Sequence, residues 1–198
     1  MVGGRFGKYG EHKRMKRLRE AGERPKTGPA PVLAGKDFRH SHPRSIVLRE
    51  IRPEDVSFIS TLAGEAFNRY GPYEKSIRQW FETDAAFGYL AFAAKREAGF
   101  VIISSAYFLT TVISEVMAIA VAPEQRRKGI AGLLLEKAEQ RAIEEGALYM
   151  LLHTATENKA ARSFFGSHGY KMAGKKPRYY PAGQDAIRMI KALKRDRV

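Results

Sequence analysis

Arg126-Arg127-Lys128-Gly129-Ile130-Ala131 stands where an apolar strand pattern, EVMAIAVAP, gives way to a helical one, IAGLLLEKA. A glycine and a small alanine at such a turn let a ligand approach the backbone, and the unpaired N–H groups of a first helical turn form an anion site. Three basic side chains beside it add positive charge. That chemistry suits a pyrophosphate, although the same residues would also make an ordinary exposed helix start. A Walker loop would need Lys-Ser or Lys-Thr after its last glycine, and a dinucleotide fingerprint would need G-x-G-x-x-G in an early βαβ unit; both are absent. A second candidate is His153, at the end of the apolar run LYMLLH. A neutral imidazole accepts a proton near pH 7, whereas a lone histidine at a strand end is often only a hydrogen-bonded structural group. Without a second ligand nearby it is not expected to hold a metal. The chain has no cysteine, which excludes a thiol nucleophile, Cys-ligated zinc or iron–sulfur centres, and disulfides.

These residues need elements to position them. Ile46 to Ile51 reads as a strand, and Pro53-Glu54-Asp55 opens a helix that runs to Phe67, with proline and acids where a first turn favours them. After Gly71-Pro72, Glu74 to Thr83 reads as a second helix with Ile77, Trp80 and Phe81 at core spacing. Tyr89 to Ala94, Phe100 to Leu109 and Glu115 to Val121 read as an antiparallel meander. A helix from about Lys128 to Glu145 follows, stopped by Gly146. Leu148 to His153, apolar on both faces, reads as a buried central strand. A short helix from Asn158 to Ser167 and closing strands at Tyr170 to Ala173 and Ala186 to Lys191 complete the order β-α-α-β-β-β-α-β-α-β-β.

The 198 residues carry a net charge of +14, which by itself points to an anionic partner without naming one. Counted by segment, the charge is +8 over residues 1–45, −1 over 46–170 and +7 over 171–198. Residues 1–45 also hold seven of the 18 glycines and four of the nine prolines, so they are expected to form a basic, disordered tail, with at most one short helix over Glu11 to Ala21. The tail admits contact with RNA or ribosomes, but a solvated basic arm is the favoured reading, since charge runs are commonly plain tails. The folded domain is expected over 46–198. No apolar run approaches the ~18 residues that span a bilayer, and the start of the chain lacks the apolar core of a secretory signal, so no membrane association and a cytoplasmic location are expected.

Taken together, the turn and its flanks resemble the GNAT superfamily of N-acetyltransferases. Residues 126–131 match that family's R/Q-x-x-G-x-G/A acetyl-CoA motif, and EVMAIAVAP before it and LYMLLHTATENKAARSFFGSHGY after it match in order and spacing. The resemblance covers about Ile46 to Leu193 and implies an α/β GNAT acetyltransferase fold. In it an antiparallel meander joins splayed parallel strands in one mixed central sheet flanked by helices. It further implies that acetyl-CoA is the co-substrate, with its pyrophosphate on the backbone of Arg126, Arg127, Lys128, Gly129, Ile130 and Ala131. The pantetheine would pair with Ile119, Ala120 and Val121, and Asn158 would contact the cofactor arm; a plain helix N-cap is the alternative for Asn158. No metal is implied.

The resemblance also proposes catalytic groups. Glu115, 14 residues before Gly129, looks like the catalytic glutamate of histone-type members. The alternative is a surface residue closing a turn. His153 is similar in position to the histidine of some protein N-terminal acetyltransferases, and is therefore its rival as base. Phe165 replaces the tyrosine that many members use to protonate the CoA sulfur, which leaves water, Tyr179 or Tyr180 for that task. RYYPAGQDAIRMI resembles the closing hairpin of protein N-terminal acetyltransferases, so Tyr179 and Tyr180 would border the acceptor, with Tyr70, Pro72 and Tyr73 opposite. The expected activity is acetyl transfer to a primary amine, at a protein N-terminus or lysine. A small amine, an aminoacyl-tRNA or a non-catalytic acyl-CoA-binding module are alternatives, and either a monomer or a homodimer is compatible.

Overall fold

The computed structural model describes residues 46–82, 86–108 and 111–193; the expected tail and its short helix lie outside the described residues. Seven strands form one sheet in the order β1-β2-β3-β4-β5-β7-β6: β1 Ile46–Glu50, β2 Phe87–Ala93, β3 Arg96–Phe108, β4 Thr111–Val121, β5 Ala147–Ala155, β6 Lys171–Lys176 and β7 Ala186–Ala192. All neighbours are antiparallel except β4 and β5, which run parallel. Among the described residues the four α-helices are α1 Val56–Phe67, α2 Tyr73–Glu82, α3 Ile130–Glu144 and α4 Lys159–Ser167. The expected order of elements is thus observed, with the Pro53–Asp55 start of the first helix wound as a 3-10 turn.

Each face of the sheet carries its own core. On one face α3 and α4 press Leu134, Leu135, Ala138 and Phe165 onto Val101, Ile103, Met150 and Leu152. On the other, α1 and α2 press Ile59, Leu62, Ile77 and Trp80 onto Leu90, Phe100, Ile102 and Ala118. Alternate residues of β3 therefore serve opposite cores, as the period of a strand dictates. Each fully buried leucine or isoleucine here contributes roughly 1.5–3 kcal/mol.

Three departures from the sequence expectation in the strands have identifiable reasons. β3 begins at Arg96 because the turn from β2 is made by Ala94 and Lys95 at φ 52° and 65°, a left-handed pair usually announced by Asn-Gly. β4 begins at Thr111, which places Glu115 inside a strand rather than at the end of a turn. Finally, β5 is not buried on both faces throughout. Leu148 and Tyr149 at its start are 44% and 42% exposed, because the α1–α2 layer packs over β3 and β4.

The site depends on one irregularity in β4. Ile102 pairs with Ala118 but Ile103 with Val116, so Met117 is an extra residue. Before it, Val112 and Val116 point into the α3–α4 core; after it, Ala118, Ala120 and Ala122 point into the α1–α2 core. A bulge of this kind bends the strand as well as exchanging its faces. Pairing between β4 and β5 ends at Val116 and Leu152, just where the bulge begins. Beyond it β4 continues with only β3 beside it, and β5 continues with only β7. The two parallel strands splay apart.

Candidate active site

One wall of the splayed opening is the end of β4 and the turn into α3. Arg126 Nε donates to the Val121 carbonyl at 3.0 Å, and Lys128 Nζ donates to the Glu124 carbonyl and to Gln125 Oε1, both at 2.9 Å. The basic side chains thus brace the turn and stay exposed around it. Gly129 is the N-cap of α3 at φ 79°, and no side chain caps the helix. The Leu133 N–H to Gly129 carbonyl bond, 3.2 Å, opens the helical ladder, so the N–H groups of Ile130, Ala131 and Gly132 precede it. A Cβ built at Gly129 meets nothing within 4 Å. Uncapped donors, a left-handed glycine and open space beside it fit the pyrophosphate of a coenzyme A thioester. The helix begins at Ile130, two residues later than the sequence pattern indicates, because Arg127 and Gly129 both adopt positive φ.

Ile119, Ala120 and Val121 lie on the splayed end of β4, where backbone groups on the edge away from β3 are available to a ligand that adds itself as a strand. Asn158 caps α4, its Oδ1 accepting from the Ala161 N–H at 3.0 Å. Phe165 is buried in the α3–α4 core against Phe164 and Tyr170. It lies among apolar neighbours and has no hydroxyl to offer.

The opposite wall joins residues that are far apart in sequence. Glu115 sits just before the bulge and His153 just after the last β4–β5 pair, and His153 Nδ1 lies 2.8 Å from Glu115 Oε1. An ionised carboxylate can only accept, so Nδ1 is the donor of this bond, which in the neutral imidazole leaves the lone pair on Nε2. The imidazole is 7% exposed and Nε2 has no hydrogen-bond partner among the described residues; the carboxylate is 33% exposed. The Tyr179 ring stacks on His153 with centroids 4.5 Å apart and planes at 20°.

Tyr180 turns the other way. Its ring is buried against Tyr70, 5.0 Å between centroids, and burial pushes its hydroxyl up so that it stays protonated across the working range. The nearby Tyr73 hydroxyl is pushed up to about 12, first by burial and then by negative charge at Glu115. The β6–β7 loop is pinned to the α1–α2 loop. Ala182 N–H donates to the Tyr70 carbonyl at 3.3 Å, Gln184 Nε2 donates to the Arg69 carbonyl at 2.6 Å, and Pro181 lies so near Gly71 that a Cβ there would approach it to 2.9 Å. The family resemblance implies that these two loops lie on opposite sides of an acceptor; their direct contact has no signature in the sequence.

Among the described residues no group of three or more His, Asp or Glu is placed to hold a metal ion, and no helix is long and apolar enough to cross a membrane. Residues 48–170 match the Acetyltransferase (GNAT) family. N-alpha-acetyltransferase 30 of Schizosaccharomyces pombe is 31% identical over 127 residues, 64% of this chain and 81% of the relative. An uncharacterised protein of Mycobacterium leprae is 31% identical over 149 residues, 73% of this chain, and the match spans only 40% of that longer relative. Arabidopsis thaliana NAA60 in complex with acetyl-CoA superimposes with a TM-score of 0.66 at 13% identity, over 75% of this chain and 99% of that one. With the splayed sheet, the uncapped helix start and the match over more than half of its length, this chain belongs to the GNAT acetyltransferase family.

Proposed function

We propose that the chain transfers acetyl from acetyl-CoA to a peptide amine, preferentially the α-amine of a protein N-terminus, with His153 as the general base and Glu115 as the group that orients it. The observation that carries this reading is the 2.8 Å contact between His153 and Glu115 at the mouth of the splayed strands. The two residues, which compete for one role when read from the sequence, share one task. Glu115 accepts the Nδ1 proton and stabilises the imidazolium that forms when Nε2 takes the amine proton. Tyr179 holds the ring against rotation by stacking on it.

Bound acetyl-CoA supplies a thioester whose C–S bond breaks as the C–N bond to the acceptor forms. The N–H groups of Ile130, Ala131 and Gly132 hold its pyrophosphate, and the splayed end of β4 aligns its arm. A backbone N–H of Ile119 to Val121 donates to the carbonyl oxygen as it gains charge. The imidazolium of His153 carries the proton that the departing thiolate requires, so the hydroxyl absent at Phe165 is not needed. Pinning of the β6–β7 loop to the α1–α2 loop bounds the entrance on two sides, which suits a chain end better than the middle of a chain. The similarity to N-alpha-acetyltransferase 30 supports the same acceptor class.

The test follows thiol release from acetyl-CoA with three acceptors: a peptide with a free α-amine, an Nα-blocked peptide with one lysine, and a small diamine. The chain has no cysteine, so the thiol signal has no background from the protein. Turnover greatest with the free α-amine is expected. Turnover confined to the diamine, or cofactor binding without thiol release on any acceptor, would overturn the proposal.

A further inference from the structure

The acceptor side holds more positive charge than acetyl transfer itself uses. Residues 171–192, the β6–β7 hairpin, carry six Lys or Arg and one acid, Asp185. That acid is already engaged, by Lys175 Nζ at 2.8 Å and by the Arg178 N–H at 2.8 Å, while Lys191 is held by Glu139 at 2.6 Å. Lys171, Lys176 and Arg188 remain exposed with no acidic partner among the described residues, and Arg178, also exposed, has the charge of Asp185 near it.

Two of these cations adjoin the base. Lys176 Nζ lies 5.2 Å from the centroid of the Tyr179 ring, and that ring is stacked on His153, so one phenol touches both the cation and the imidazole. Arg188 is the residue opposite His153 in the β5–β7 ladder and therefore shares its face of the sheet. Across the entrance, Arg69 is exposed with its guanidinium 5.5 Å from the Tyr70 ring. The carboxylates on this side are Glu115, bound to His153, and Glu157, exposed before α4 and near Tyr180.

We infer that the acceptor is an acidic peptide, one with Asp or Glu in the few positions behind the reacting amine. This rests on the proposed peptide acetyltransferase reading and narrows it. These contacts set the reach: their two spacings, 4.5 and 5.2 Å, together span at most about three residues of extended chain. Carboxylates at positions two to four of the acceptor therefore lie beside Lys176, Arg178 and Arg188 when the amine is at His153. The same cations repel an acceptor with lysines there, and they favour the neutral amine that attacks over its ammonium form.

Three peptides with free α-amines, identical except for acidic, neutral or lysine residues at positions two to four, test this with the full chain. The expected kcat/KM order is acidic, neutral, basic, with acidic over basic by about tenfold at low salt, the product of a few screened exposed contacts, and a narrower ratio at ~0.5 M salt. Lys176→Glu with Arg188→Glu should reverse the order. Arg178→Glu, at the exposed hairpin tip, should reduce the ratio by itself, and the wild-type ranking with its salt dependence decides the matter even where the double variant fails to fold. Equal rates on the three peptides, or a preference that salt leaves unchanged, would overturn the acidic acceptor and leave peptide acetylation standing. Acetylation of none of them would instead remove the proposed function.

Discussion

The cofactor wall and the acceptor wall of this site are built in opposite ways. On the cofactor wall Arg126 bonds to Val121, and Lys128 to Glu124 and Gln125, all within eight residues of chain, and the helix start capped by Gly129 follows at once. On the acceptor wall Glu115 meets His153 across 38 positions, and Gln184 meets Arg69 across 115. The first wall is a local conformation that the sequence can encode in a motif. The second exists only when the sheet is assembled, because its members come from β4, β5 and two distant loops.

That contrast can be broken most severely at His153. His153→Ala should lower kcat/KM by roughly 10²–10⁴-fold, the range for a lost general base, with acetyl-CoA affinity retained, as read by steady-state kinetics and calorimetry. A variant that lost cofactor affinity instead would show that the two walls are not separable. Glu115→Gln should cost less, about 10–100-fold in rate, since the base remains and only its orienting charge is lost. Loss equal to that of His153→Ala would make Glu115 the base.

The cofactor wall should respond in the reverse sense. Gly129→Val places a β-branched residue at φ 79°, so about 1–2 kcal/mol of strain is expected in denaturant melts, and acetyl-CoA affinity should fall about tenfold or more as the turn yields. A smaller effect is expected at Asn158. Its bond to the Ala161 N–H makes it an N-cap, and Asn158→Ala should cost about 1 kcal/mol of stability while changing cofactor affinity little. A large drop in affinity there would extend the cofactor wall to α4.

The pH dependence of stability has a source outside both walls. Asp55, buried at the start of α1, takes two bonds from Arg49, at 2.6 and 2.8 Å, which hold its carboxyl below the usual carboxylate range. The folded form therefore binds a proton less readily than the unfolded one. The pair's contribution is fully present at neutral pH and disappears as the pH falls through the acidic range. Arg49→Met should flatten that part of the stability–pH curve, with little change in acetyl-CoA affinity at pH 7.

Element order and the turn into α3 were legible because they depend on short-range rules: the period of apolar residues, proline at a helix start, glycine at its cap. The β2–β3 turn was not, since Ala94 and Lys95 lack the residue types that normally mark a left-handed pair. The burial of β5 misled for another reason. Leu148 and Tyr149 look like core in a run of apolar residues, and only the extent of the α1–α2 layer leaves them exposed. Tyr179 and Tyr180 are adjacent in sequence and alike in type, yet one stacks on His153 and the other is buried against Tyr70.

By itself, the sequence determined the family's fold, the order of its strands and helices, the glycine-containing turn at 126–131 and the segments in which the net positive charge resides. The tertiary structure decided where β4 parts from β5, because the bulge at Met117 is a mismatch of register between two strands and not a property of either. It decided that Glu115 and His153 form one unit, and that Lys176 and Arg188 stand beside it. Residues brought together by a sheet leave no trace in local spacing, since neighbouring strands place them within a few ångströms whatever length of chain lies between.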